Sequence, residues 1–232
     1  MALASTKESG KQSKQMNEIE IICYNCNKLF KTSYVYRNYY CSEKCKLLAK
    51  EKQKLAEQRR IEIEIHTRIR QEIPPKYISI ESDFKNINSL MGKSLYITGD
   101  VGVGKTVLMT TLIKNYLRQQ KKATCISYPK FIMTLQGMFK NPDKDPYGYA
   151  EDIANYEGVL AIDDLGAEKL TEFVRQITYF IINEREQNVK TTIITSNYTL
   201  QQVDEMIDPR VSSRIAGNYE IKKLQGKDRR LK

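Results

Sequence analysis

The run Gly99-Asp100-Val101-Gly102-Val103-Gly104-Lys105-Thr106 constrains this chain more than any other stretch, because of what flanks it. Before it stands Ser94-Leu95-Tyr96-Ile97-Thr98, a short apolar run of strand character; after it, Lys105 to Gln120 reads as a helix. The run fits G-x-x-x-x-G-K-[ST], and a strand–loop–helix setting is the one in which that pattern carries its mechanism. Glycines let the backbone wrap a phosphate with its N–H groups inward, on the positive end of the following helix. The eight residues are therefore candidate ATP contacts, with Lys105 reaching the β- and γ-phosphates and Thr106 ligating Mg²⁺.

The chain beyond this loop alternates in the manner of an α/β sheet. Ala123 to Ser127, Gly158 to Ile162, Thr191 to Ser196 and Tyr219 to Ile221 read as further strands. Pro129 to Lys140 and Glu172 to Gln187 read as helices, and Asn141 to Gly148, with two prolines, as a loop. With 232 residues and 41% hydrophobic content, there is material for one ordinary domain and a small module.

Two later segments supply groups that phosphate chemistry needs. Val159-Leu160-Ala161-Ile162-Asp163-Asp164 is a buried strand ending in two carboxylates. Asp163 is placed to hold Mg²⁺ and Asp164 to polarise an attacking water; a helix cap or turn is the plainer use of such a pair. Thr195-Ser196-Asn197 ends another strand. If that strand neighbours the phosphate loop, Asn197 orients the lytic water; otherwise it caps a turn. Arg210 and Arg214 lie at i, i+4 on one helical face, where either can reach a neighbour's γ-phosphate or simply pair with surface acids.

Upstream, residues 1–18 are rich in Ser, Lys and Gln and read as a disordered tail. Residues 19–48 hold Cys23-x₂-Cys26-x₁₄-Cys41-x₃-Cys45, a spacing at which four thiolates can meet a tetrahedral Zn²⁺. Reduced structural cysteines or an iron–sulfur cluster are the other readings of this pattern. So short a segment has little core of its own, so the metal would supply folding energy. Tyr24, Phe30, Tyr34, Tyr36, Tyr39 and Tyr40 crowd the same segment, as module packing or as stacking platforms. Residues 49–72 read as a charged helical linker with Ile61, Ile65, Ile69 and Ile73 in i, i+4 register, although Ile61 to Ile65 also alternates as a strand does. Pro74-Pro75 ends it and opens the main domain, residues 73–232.

Taken together, Ile73-Pro74-Pro75-Lys76-Tyr77, the phosphate loop, Asp163-Asp164-Leu165-Gly166-Ala167-Glu168, Thr195-Ser196-Asn197, Val211-Ser212-Ser213-Arg214 and Gly226-Lys227-Asp228-Arg229-Arg230 resemble the DnaC/DnaI helicase-loader family of AAA+ ATPases. The resemblance implies a three-layer αβα fold with a five-stranded parallel sheet in the order 5-1-4-3-2, and the few residues after the fifth strand lead to the expectation of no C-terminal lid domain. It implies that Asn197 is the sensor residue, Arg214 the arginine finger and Arg210 an accessory, the last two being exchangeable. It also implies self-association through the ATPase domain and an ATP-dependent role in placing a DnaB-type replicative helicase on single-stranded DNA during replication, with the N-terminal region binding the helicase. A related transposition-helper ATPase acting on duplex DNA, and a zinc-dependent adaptor with a vestigial ATPase, are the competing functions.

The formal charge of +10 suits a polyanionic partner, and six basic residues against one acid in Lys222 to Lys232 suit DNA, nucleotide phosphate or a solvated end. The sequence has no apolar run of about 18 residues or more and no apolar leader, so a cytoplasmic protein without membrane contact is expected. Cys125 reads as a buried strand residue and His66 as a surface residue of the charged helix.

Overall fold

The computed structural model describes residues 18–32 and 39–229. The tail expected before Glu18, Tyr34, Tyr36 and Arg230 lie outside the described residues. The chain divides into two compact units, Met1–Glu62 and Ile63–Lys232.

In the first unit, strands β1 (Ile19–Ile22) and β2 (Leu29–Thr32) form an antiparallel hairpin, with Ile19 opposite Thr32 and Ile22 opposite Leu29. Its connection is a tight turn in which the Cys23 N–H donates to the Lys28 carbonyl at 2.9 Å and Asn27 takes a left-handed φ of 57°, a conformation asparagine tolerates. Helix α1 (Glu43–Glu72) follows, its first turn fixed by the Ser42 hydroxyl accepting from the Cys45 N–H at 3.2 Å. The Ile61 to Ile65 alternation is therefore helical, in agreement with its Lys, Glu, Gln and Arg surroundings.

The second unit begins at Ile63, ahead of the boundary expected at residue 73, because Ile69 and Ile73 are buried in its core. Its sheet contains β3 (Leu95–Gly99), β4 (Ala123–Ser127), β5 (Val159–Leu165), β6 (Thr192–Ser196) and β7 (Glu220–Leu224), in the order β4-β5-β6-β3-β7. All four pairings are parallel, and in strand number this is the expected 5-1-4-3-2 order. Between the strands run α2 (Lys105–Arg118), α3 (Tyr128–Met138), α4 (Pro146–Asn155), α5 (Glu172–Gln187), α6 (Leu200–Met206) and α7 (Pro209–Asn218).

A parallel sheet covered on both faces needs apolar side chains on both, and the strands supply them by alternation. Leu95, Ile97, Ala161 and Ile193 face one side, buried with Leu108 and Leu112 of α2. Tyr96, Leu160, Ile162 and Ile194 face the other, against Phe131 of α3, Ala150 of α4, Ile181 of α5 and Val211 of α7. The result is the three-layer αβα architecture. Among the described residues, no helix is long and apolar enough to cross a membrane.

Two local expectations need correction. The stretch read as a loop, Asn141 to Gly148, contains the start of α4: Asp145 caps it by accepting from the Gly148 N–H at 2.8 Å, and Pro146 fills the first turn, where no N–H is needed. Strand β5 runs on to Leu165 rather than ending at Ile162, with a register shift against β6 between Ile162 and Leu165. Asp163 and Asp164 sit in that irregularity, and Asp164 takes a φ of 59°.

Candidate nucleotide site and cysteine cluster

The loop between β3 and α2 closes over its own lysine. Gly99 adopts a φ of 148°, and a β-carbon there would lie 2.3 Å from the Leu224 carbonyl oxygen of β7, so only glycine fits. Lys105 is buried, and its ammonium donates to the Gly99 carbonyl at 2.7 Å, the Asp100 carbonyl at 2.8 Å and Asn197 Oδ1 at 2.7 Å. Adjacency of β3 and β6 brings Asn197 there, as the sequence reading required.

Next to it, Asp163 Oδ1 accepts from the Thr106 hydroxyl at 3.0 Å and the Thr195 hydroxyl at 2.6 Å. Thr195 also accepts from the Asp164 N–H at 2.9 Å, so one hydroxyl pins both halves of the β5 bulge. Burial raises the Asp163 carboxyl above its ordinary value and the neighbouring Asp164 charge adds to this, against the lowering effect of Thr195, Thr106 and Lys105. A half-buried carboxylate beside a threonine hydroxyl is an oxygen donor set suited to a hard divalent cation.

A cavity of about 320 Å³ opens in front of these groups. Thr106, Lys105, Asp164 and Asn197 line its phosphate-loop end, and Tyr77 and Ile80, from the segment after Pro74-Pro75, line another wall. The C-terminal segment lies against the loop as well. The Arg229 N–H donates to the Gly102 carbonyl at 3.0 Å, and the Asp228 carboxylate fills the space a side chain at position 102 would need. Arg229 also lines the cavity and pairs with Asp83 at 3.0 Å, which holds the Asp83 carboxyl below its ordinary value. Thr195, Tyr77 and Arg229 were not singled out from the sequence. The motifs containing them were visible, but the contacts they make depend on strand order and on where the tail folds.

Arg210 and Arg214 do not line this cavity. Both guanidinium groups stack on Tyr179, at 4.2 and 5.0 Å from the ring centre. Arg210 is exposed and pairs with Asp208, the α7 cap, at 2.7 Å. Arg214 is more enclosed: it donates to Asn183 Oδ1 at 3.0 Å and to the Tyr179 hydroxyl at 3.3 Å, and pairs with Glu186 at 3.4 Å.

In the first unit, the Sγ atoms of Cys23, Cys26, Cys41 and Cys45 all lie within 4.8 Å of one another, and none is in a disulfide. Cys26–Cys41 and Cys41–Cys45 are 3.6 and 3.4 Å apart. Four thiolates at the ordinary Zn–S length around a tetrahedral ion stand about 3.8 Å apart, so the cluster fits zinc. The hairpin turn supplies Cys23 and Cys26, and the first turn of α1 supplies Cys45. Tyr24 and Tyr40 meet edge to face beside it, at 6.1 Å. Cys125 belongs to β4 of the second unit, where burial pushes its thiol up to about 12.

The sequence profile of the Bacterial DnaA ATPase domain family matches residues 84–222, more than half of the chain. Among curated proteins, the replicative helicase loader DnaI of Bacillus subtilis (strain 168) is 25% identical over 109 residues, 47% of this chain and 34% of that protein. The replicative helicase loader DnaC of Escherichia coli (strain K12) is 20% identical over 122 residues, 53% of this chain and 49% of that one. The chain thus spans no more than about half the length of these curated relatives. Among solved structures, the DnaC helicase loader superposes with a TM-score of 0.52 at 27% identity, covering 60% of this chain and 86% of that one. AMPPCP-bound DnaA from Aquifex aeolicus shares the fold, with a TM-score of 0.55 at 18% identity over 66% of this chain and 51% of that one. With the matched profile, the parallel sheet order and the phosphate loop facing Asp163 and Asn197, the chain belongs to the bacterial DnaA ATPase-domain family, as an AAA+ domain of the DnaC/DnaI type.

Proposed function

We propose that this chain is an ATP-driven loader that binds a DnaB-type replicative helicase and places it on single-stranded DNA. The observation that carries the reading is the convergence of Lys105, Thr106, Asp164 and Asn197 from three separate strand ends on one cavity, with Asp163 bonded to Thr106 beside it. The relatives named as replicative helicase loaders support that reading.

In this reading the phosphate-loop N–H groups and Lys105 hold the triphosphate, and Lys105 exchanges its Gly99 and Asp100 carbonyls for phosphate oxygens. Thr106 and Asp163 would hold Mg²⁺, which would supply positive charge against the triphosphate. Asp164, turned into the cavity by the bulge, polarises the lytic water, and Asn197 orients it. Arg214, or Arg210 in its place, acts on the nucleotide of a neighbouring subunit, since neither lines the cavity of its own chain. The Cys23, Cys26, Cys41 and Cys45 cluster would hold Zn²⁺ and so shape the region that grips the helicase.

The test is reconstitution with a purified DnaB-type helicase and a single-stranded DNA circle. The wild-type chain with ATP is expected to raise the amount of helicase on the circle, and Lys105→Ala to lower that gain by about tenfold or more, since losing a phosphate ligand costs at least about 1.4 kcal/mol. No gain over helicase alone would refute helicase loading, and ATP-dependent coating of duplex DNA would support the transposition-helper reading instead.

A further inference from the structure

Lys114 lies in the third turn of α2 and is fully buried, although it carries a charge. Its ammonium donates to the carbonyls of Tyr77, at 3.1 Å, of Ile78, at 3.4 Å, and of Ile80, and it pairs with Glu81 at 3.1 Å. Those carbonyls belong to the turn at Pro75–Tyr77 and the residues just after it, and among them the Tyr77 carbonyl also accepts from the Ile80 N–H at 3.4 Å. The three N–H groups of the ammonium are thereby satisfied, the condition under which a buried charge is tolerated.

Lys114 does not act alone. Thr111 accepts from the Ser82 N–H at 2.9 Å, and Arg118 donates to Glu81 at 2.7 Å. Positions 111, 114 and 118 follow one another at i, i+3 and i+7, so they form one row along α2. The segment this row holds contains Tyr77, Ile80 and Glu81, which line the wall of the cavity supplied from outside the phosphate loop. Lys105 and Thr106, at the N-terminus of the same helix, line the phosphate end. One helix therefore fixes both ends of the cavity.

We propose that Lys114 is a positioning residue for nucleobase recognition: it sets the Tyr77–Glu81 wall at the distance from the phosphate loop that a nucleoside requires. The inference rests on the reading of the cavity as a nucleoside triphosphate site. A methionine at this position would fill similar volume without the charge, yet would take a donor from the Tyr77, Ile78 and Ile80 carbonyls and leave Glu81 to Arg118. The wall would then lose its place while the phosphate loop, which Lys114 does not touch, kept its own.

Calorimetric titration of the full chain with two probes in the presence of Mg²⁺, ATP and inorganic tripolyphosphate, separates the two ends. Wild type is expected to bind ATP more tightly than tripolyphosphate. Lys114→Met is expected to weaken ATP by about tenfold, the loss of one or two well-placed contacts, and to leave tripolyphosphate within about twofold. Glu81→Ala, at a half-exposed position that folding tolerates better, is expected to show the same split in smaller measure, and it decides the question if Lys114→Met fails to fold by circular dichroism. Equal loss of both probes, or no loss of either, would overturn the positioning role. Wild type binding tripolyphosphate as tightly as ATP would show that the wall reads no base and overturn it too. Wild type binding neither probe would instead overturn the nucleotide reading of the cavity, and the proposal with it.

Discussion

Arg185 and Asp163 show how differently two buried charged residues can stand in the sequence. Asp163 ends an apolar run at a spacing from the phosphate loop that announces metal chemistry, and its surroundings agree: Thr106, Thr195 and Lys105 all favour the ionised form that burial opposes. Arg185 sits between Glu184 and Glu186 within the helix expected over Glu172 to Gln187, where no sequence signal marks it as buried. It is instead fully buried, donating to the Thr192 hydroxyl at 2.8 Å and to the carbonyls of Ala154, Tyr156, Gly158 and Thr191 at 2.9 to 3.2 Å. Burial pulls its guanidinium down to about 10. It ties the end of α4 to the starts of β5 and β6, a role invisible without the fold. Arg185→Met is expected to cost about 3 kcal/mol or more in urea unfolding, because several carbonyls lose their donor at about 1 kcal/mol or more each. A loss within about 0.5 kcal/mol would mean that those carbonyls find other partners. Lys114 escaped notice for the same reason as Arg185: a lysine in an amphipathic helix gives no sign of which face it occupies.

Among the elements, those with strong apolar period and a clear boundary were legible. Strands β3 to β6 and helices α2 and α5 came from runs such as Leu95-Tyr96-Ile97 and from the glycine and proline stops around them. Helix α4 was missed because two prolines and Gly148 outweighed its short apolar set, although Asp145-Pro146 is a cap followed by a first-turn proline. The bulge in β5 was also unreadable, since it follows from β6 pairing on both sides of Asp163-Asp164 and not from local propensity. The N-terminal hairpin depends on something the sequence did show. Four residues per strand and a largely exposed surface, including Ile22 and Leu29, leave it little apolar burial to stand on. Zinc at the four cysteines would supply the rest. Full-length protein purified without chelator and kept reduced is expected to hold about one zinc per chain, by analogy with structural Cys₄ sites. Cys26→Ser is expected to lose that zinc and the helicase contact while keeping ATP affinity. Stoichiometric zinc retained by Cys26→Ser would remove Cys26 from the ligand set.

For the whole molecule, the alternation of strands and helices shows an α/β sheet, while the strand order and the two covered faces are what the family resemblance implies and what the fold has. What sequence order alone does not reveal is which groups share a cavity. Asn197 meets Lys105 across 92 positions, while Arg210 and Arg214, nearer to Asn197 in the chain, lie beside Tyr179 instead. A cavity with its own lysine, carboxylates and asparagine, and a helix that presents two arginines elsewhere, is an arrangement that works when one chain's arginine serves another chain's nucleotide. ATP hydrolysis by a mixture of Lys105→Ala and Arg214→Ala proteins tests this most directly, with Arg210→Ala substituted for Arg214→Ala in a parallel mixture. Each variant alone is expected to be inactive, and one of the mixtures to recover a substantial part of wild-type turnover, because one partner brings an intact pocket and the other an intact arginine. Inactive single variants with no recovery in either mixture would contradict catalysis shared between subunits.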